Sequence, residues 1–286
     1  METMDAAARS RLVQKHDRFF TGSREGRVIE ILQTACRAGA TKVAIINRND
    51  RIIVRDNGRG IADFSTILDR RNFGGEENRE AYEYPPGVGL LCLAPRELIV
   101  RSRGKRVRIG PNEWTGQPLA VRADPGIREG TELEFPDDPW TIDLVEINAV
   151  FSGMRVSLDG RDLPSIPFVD PHATVYPELG CRLAAVNPAH WDPWHERILS
   201  FMDNDNVLVN FGGEVVGFEY RPAGCHDLHY RIDCGDDRMI EVRRALAARR
   251  QGETNDVLER LKAAIEREGH RYIRKHGVQT LRTTSR

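Results

Sequence analysis

The sequence predicts an α+β protein in two parts. An α/β sandwich, with helices on a mixed, mainly antiparallel sheet, is followed by a smaller α+β domain that ends in an amphipathic helix. Three observations carry this. Short β-branched runs alternate with two-residue polar turns, the pattern of hairpins. Two long stretches carry apolar residues at helical spacing instead. Pro164, Pro167 and Pro171 then interrupt the pattern and place a boundary near residue 165. At 286 residues the chain exceeds the usual single-domain size.

Residues 5–20 read as a short helix or arm ending at Phe19-Phe20. Residues 24–39 (REGRVIEILQTACRAG) place Val28, Ile31, Leu32 and Ala35 on one stripe, with Ser23 as N-cap and Gly39 as the C′ stop. Glu30, Thr34 and Arg37 fall at i, i+4 and i+7 and share a different face. Lys42–Asn47 and Arg51–Arg55 form a predicted hairpin turning at Asn49-Asp50. Asp56-Asn57-Gly58-Arg59-Gly60-Ile61 follows the second strand. A carboxylate ending a buried strand accepts a hydrogen bond from an exocyclic amine, and glycines let backbone lie against a flat ring.

Residues 62–72 read as helical. The stretch 72–88 is polar, charged and glycine-bearing. Pro86-Gly87-Val88-Gly89-Leu90-Leu91 then opens an apolar helical run whose first backbone N–H groups suit phosphate oxygens. Strands are expected at 97–102, 106–109, 119–122 and 131–135, the last entered through Gly130-Thr131. A helix is expected at 141–151, and a hairpin at 154–163 turning on Asp159-Gly160. In the second part, strands are expected at 182–186, 206–211, 214–220, 229–234 and 239–242. An amphipathic helix spans 254–276, with Arg260, Lys262, Arg267, Arg271, Arg274 and Lys275 on its polar face.

Four elements in this order resemble the GHKL ATPase superfamily of gyrase, the ninety-kilodalton heat-shock chaperone, histidine kinases and MutL, and in particular its chaperone, MutL and gyrase branch. They are the Glu30 helix, the Asp56 loop, the Gly87–Gly89 segment and the Gly130-Thr131 strand. The resemblance covers residues 16–160 and implies a Bergerat fold over 1–165, with a lid at about 72–88. It implies a transducer-like domain over 166–286. The ligands it implies are ATP and Mg²⁺. Glu30 would be the general base. Asp56 would hold the adenine amine, with Gly58, Gly60 and Ile61 lining the base and Thr131 supporting it. Gly87, Val88, Gly89 and Leu90 would meet phosphate, and Arg243 or Arg244 would reach the γ-phosphate.

One departure stands out: Thr34 occupies the place of the magnesium-binding Asn, and Arg37 that of an Asp. Thr34 is therefore the candidate metal ligand, through its hydroxyl or an intervening water, while Arg37 offsets phosphate charge. Slow ATP hydrolysis in a chaperone-like conformational switch is the first expectation. A non-hydrolysing, nucleotide-gated adaptor is the second. A kinase of the histidine-kinase type ranks last, because no phosphoacceptor-histidine helix precedes the nucleotide domain. The resemblance also implies a protein partner or client and an ATP-dependent homodimer.

Composition narrows the field. Net charge is −1 with 30% charged residues, so no global basic field points to nucleic acid or membrane. No apolar run approaches the ~18 residues of a membrane span. The first twelve residues lack a signal peptide's apolar core. Five cysteines without tight spacing read as reduced thiols in a cytoplasmic protein. Cys225, His226, His229 and Cys234 do not match a structural zinc spacing.

Overall fold

The computed structural model describes residues 23–68, 89–188, 193–199, 205–235, 241–242, 245–246, 249, 252 and 255–277. The expected N-terminal arm, the lid at 72–88, Gly87, Val88, Arg243 and Arg244 lie outside the described residues. The chain divides into two compact units between Ser165 and Ile166.

The first unit is an α/β sandwich. Its strands are β1 (Lys42–Arg48), β2 (Arg51–Asp56), β3 (Leu98–Ser102), β4 (Lys105–Ile109), β5 (Arg122–Ala123), β6 (Thr131–Pro136), β7 (Arg155–Leu158) and β8 (Arg161–Asp162). They form one sheet in the order β5-β4-β3-β6-β2-β1-β7-β8. Every pairing is antiparallel except β1 with β7. Two-residue turns set the registers. Arg48 pairs with Arg51 across Asn49-Asp50, Ser102 with Lys105 across Arg103-Gly104, and Leu158 with Arg161 across Asp159-Gly160. Asn49, Arg103, Gly104, Asp159 and Gly160 all take positive φ, the conformation that matches such turns to strand twist.

One face of the sheet is apolar and carries the helices. Val43, Ile45, Ile52, Val54, Val100 and Phe135 are buried there. Helix α1 (Arg24–Arg37) lays Val28, Ile31, Leu32 and Ala35 on that core. It packs against a five-residue 3-10 helix, Gly89–Leu93, and against the helix Ile142–Ala149. Ser23 caps α1 by accepting the Gly26 N–H at 3.0 Å, and Gly39 leaves the helix at φ +73°.

The opposite face is a charge ladder. Across β2, β6 and β3, Arg55 and Arg101 both pair with Glu132. Arg101 also reaches Glu134 at 2.8 Å, and Arg51 meets Glu134 at 2.9 Å. Cross-strand opposite charges replace apolar cover on this side.

Several expectations needed correction. The run after Gly89 is a 3-10 turn rather than a longer helix, and Pro95 follows it closely. Residues 62–72 contribute only a 3-10 helix at Phe64–Leu68, with 69–72 outside the described residues. The strand expected at 119–122 shrinks to Arg122–Ala123, and a one-turn helix, Pro111–Trp114, precedes it. Of the strand expected at 239–242, the described residues Glu241 and Val242 are helical instead, and Val242, Ala245 and Leu246 are buried at helical spacing, with 239–240 outside the described residues.

The second unit holds β9 (Thr174–Tyr176), β10 (Cys181–Val186), β11 (Val207–Phe211), β12 (Glu214–Phe218) and β13 (His229–Cys234). Their order is β12-β11-β13-β10-β9, with only β11 and β13 parallel. The C-terminal helix Asp256–His276 starts one residue later than the expected cap, at Asn255, whose side chain accepts the Leu258 N–H at 2.8 Å. Leu258, Leu261, Ala264 and Ile265 bury its apolar stripe. Glu268, on the same helix, is buried and accepts hydrogen bonds from Thr174 Oγ1 at 3.0 Å and Tyr176 OH at 3.1 Å. None of the five cysteines is in a disulfide. Among the described residues no helix is long and apolar enough to cross a membrane.

One buried ion pair fixes the start of α1. Arg27 donates to both carboxylate oxygens of Asp137, at 2.9 and 3.0 Å, and Asp137 also accepts from the Trp140 indole at 3.1 Å. The two side chains are only 4% and 8% exposed, so either charge alone would be stranded. Arg27→Ala should therefore cost about 3–5 kcal/mol, and an apolar replacement of both partners far less. Urea unfolding of the single and double variants measures this.

Candidate functional site

The site grows from the end of β2. Asp56 pairs with Thr131 of β6, Thr131 pairs with Ser102 of β3, and Asp56 also pairs with Val43 of β1. Directly paired residues share a face. Ser102, Thr131 and Asp56 therefore form a polar row on the helix-bearing face, at one end of an otherwise apolar surface.

Asp56 is half-buried, and its Oδ1 accepts the Gly58 N–H at 2.8 Å. Burial pushes its carboxyl above the ordinary 3.8, opposed by N–H groups of Gly58 and Thr131. The loop after it is held on two sides. On the helix side, Arg59 N–H donates to Ala38 O at 2.9 Å. Asn57 Oδ1 accepts the N–H groups of Thr41 and Lys42 at 2.9 and 2.8 Å, and its Nδ2 donates to Thr41 Oγ1 at 2.9 Å. On the sheet side, Ser102 Oγ accepts the Ile61 N–H at 2.9 Å and donates to Gly130 O at 2.5 Å. Arg103 clamps Arg59 O from Nε at 2.9 Å and Nη2 at 2.6 Å.

Two glycines are required by this close approach. A Cβ at Gly58 would lie 2.8 Å from Ala38 O, and one at Gly60 would lie 2.7 Å from Ser102 Oγ, with φ at +69°. The result is a loop whose backbone is packed tightly against Ala38 and Ser102 beside a half-buried carboxylate.

Glu30, Thr34 and Arg37 stand on α1 away from its apolar stripe. Glu30 and Ala38 are eight residues apart, so Glu30 lies ~12 Å along the helix from the end that contacts Gly58 and Arg59. Burial, aided by the Glu30 carboxylate, holds the Cys92 thiol well above its ordinary value. The helix that carries Glu30 packs against the turn that Gly89 opens. Leu90, in that turn, is buried in the hydrophobic core.

The Thr34 hydroxyl is already engaged. It donates to Glu30 O at 2.7 Å and accepts from Arg37 Nη2 at 3.3 Å. Magnesium seeks oxygen ligands in tight octahedral geometry. Here the candidate oxygen carries a guanidinium. A divalent ion ~4 Å from that charge would meet a repulsion of roughly 2 kcal/mol in bulk water and about 8 at an effective dielectric constant of 20. These residues do not fit Mg²⁺. The Asp56 loop, by contrast, offers a half-buried carboxylate acceptor beside closely packed backbone. Among the described residues no group of three or more His, Cys, Asp or Glu is placed to hold a metal.

Sequence reasoning missed Ser102, which sits at a hairpin end with no motif around it, and the anchoring role of Asn57. Ser102 became visible only through the register of β3 on β6.

No family model matches the chain, and no curated protein matches it. Among solved structures it is similar to the Aquifex aeolicus MutL ATPase domain complexed with ADP. The identity is 15% and the TM-score 0.40, over 78% of this chain and 95% of that one. At those values nothing about ligand or chemistry transfers from that protein.

Ser102→Ala would leave the Ile61 N–H without its acceptor and remove the bond to Gly130 O. A loss of about 1–3 kcal/mol is expected, read as a lower urea midpoint with an unchanged slope.

Proposed function

We propose that the first unit binds an adenine nucleotide and acts as a conformational switch of the GHKL kind, nearest in pattern to the chaperone, MutL and gyrase branch. The observation that carries this is the half-buried Asp56 carboxylate. It is tethered through one oxygen to Gly58 and set beside backbone that only glycine permits. Asp56 accepts the exocyclic amine, Gly58, Gly60 and Ile61 flank the ring, and Thr131 supports it. The segment Gly87–Gly89 meets the phosphates with Val88 and Leu90. Glu30 takes the proton from water as its oxygen bonds to the γ-phosphorus and the bond to the ADP oxygen breaks. The 72–88 segment serves as lid. The second unit acts as transducer, with Arg243 or Arg244 sensing the γ-phosphate. A protein client or a second copy of the chain reads the resulting shape.

A second reading, the adaptor that binds without turnover, is favoured by the contact between Thr34 and Arg37. The two readings part at Glu30. In the hydrolysing case Glu30→Ala removes turnover by about 10²–10⁴-fold while binding persists. In the adaptor case the wild type has no turnover to lose.

Calorimetric titration with ADP and ATP tests the shared core. Asp56→Asn should weaken binding by roughly tenfold to a hundredfold, the worth of a hydrogen bond to a charged group. Asn keeps an acceptor for Gly58 and removes a partly desolvated charge, so the melting temperature without nucleotide should not fall. Binding should also decline as the pH drops through the Asp56 pKa, which lies above 3.8. The sign follows from protonation, which removes the anionic acceptor. The Asn variant should lack that step. Equal affinities for the wild type and Asp56→Asn would remove the basis of the proposal.

A further inference from the structure

In α1 the place of a metal-binding pair is taken by a hydroxyl and a cation already joined to each other. Thr34 Oγ1 is fixed by its bond to Glu30 O, and in that position it braces Arg37 Nη2. Arg37 is exposed, and among the described residues it makes no ion pair, so its remaining N–H donors face solvent. It sits in the last turn of α1, where the helix dipole is negative and repels an anion unless a cation intervenes.

We infer that this site takes a nucleoside diphosphate or triphosphate without a divalent cation, the Arg37 guanidinium supplying the positive charge that the phosphates require. The inference rests on the nucleotide reading of the Asp56 pocket. Arginine suits this role because its charge is permanent and its planar fork matches two phosphate oxygens at once. Thr34 is then a positioning residue that holds Arg37 through one nitrogen.

Calorimetric titration of the full chain with ADP, once in excess EDTA and once in excess Mg²⁺, decides the matter. The melting temperature of each protein without nucleotide is recorded first. Wild-type affinity should be the same in both buffers. Arg37→Ala and Arg37→Gln should each lose roughly tenfold or more in EDTA, as expected for removal of a charge-assisted hydrogen bond. The exposed position of Arg37 keeps both variants folded, and Gln preserves a donor to Thr34 without the charge. The double variant Thr34→Asn with Arg37→Asp should bind ADP only when Mg²⁺ is present. Wild-type binding that appears only with Mg²⁺ overturns the inference and leaves the Asp56 pocket standing, since Asp56→Asn would still weaken it. Unchanged binding by the Arg37 variants in EDTA also overturns it. Wild type that binds ADP in neither buffer overturns the nucleotide reading itself.

Discussion

The hydroxyl of Ser102 is fully buried, and it joins two loops far apart in the chain. It holds the Asp56–Ile61 loop through the Ile61 N–H and the turn before β6 through Gly130 O. Both loops must come close for Asp56 and Thr131 to stand side by side. Gly130 has φ +68°, and a Cβ there would collide with the Asp56 carbonyl, so the turn lies directly on the end of β2. The spacing between sheet end and loop is thus set by one oxygen atom and three glycines. A larger group at any of these places would push the loop off the sheet.

The rest of the first unit keeps α1 fixed against that loop. At its N-terminal end the helix is tied by the Arg27–Asp137 fork and by Arg24 to Asp138. At the other end, Ala38 O receives the Arg59 N–H and Thr41 is bonded to Asn57. Between these anchors the apolar stripe faces the sheet, so the positions of Glu30, Thr34 and Arg37 follow from the burial of Val28, Ile31, Leu32 and Ala35. The site's electrostatics are consequences of packing. Asp56 carries a desolvation cost because it ends a buried strand, and Arg37, off the apolar stripe, is exposed apart from its bond to Thr34.

Elements with strong local chemistry were legible in the sequence. Ser23 and Gly39 bracket α1 as capping rules require, and the expected hairpins turn on positive-φ residues at Asn49 and at Asp159-Gly160. The loop at Asp56 announced itself because carboxylate, asparagine and two glycines all have structural work within five residues. Elements decided by tertiary context were not legible. The run after Gly89 is apolar enough for a longer helix but ends in a 3-10 turn before Pro95. Val242 reads equally well in a strand or a helix, and burial of Ala245 and Leu246 beside it settled the matter. The shared row of Ser102, Thr131 and Asp56 depends on which strands are neighbours. β3 pairs with β6 although Ser102 and Gly130 lie 28 residues apart, and no local signal encodes that.

The central claim is that this polar row and its glycine-lined loop form a base pocket. Amide-resolved NMR of the full chain titrated with ADP tests it most directly. The account predicts saturable shifts concentrated at the amides of Gly58, Ile61 and Thr131, with Arg37 following on the same binding curve. Saturable shifts that leave those three amides unmoved and gather elsewhere on the sheet would contradict it.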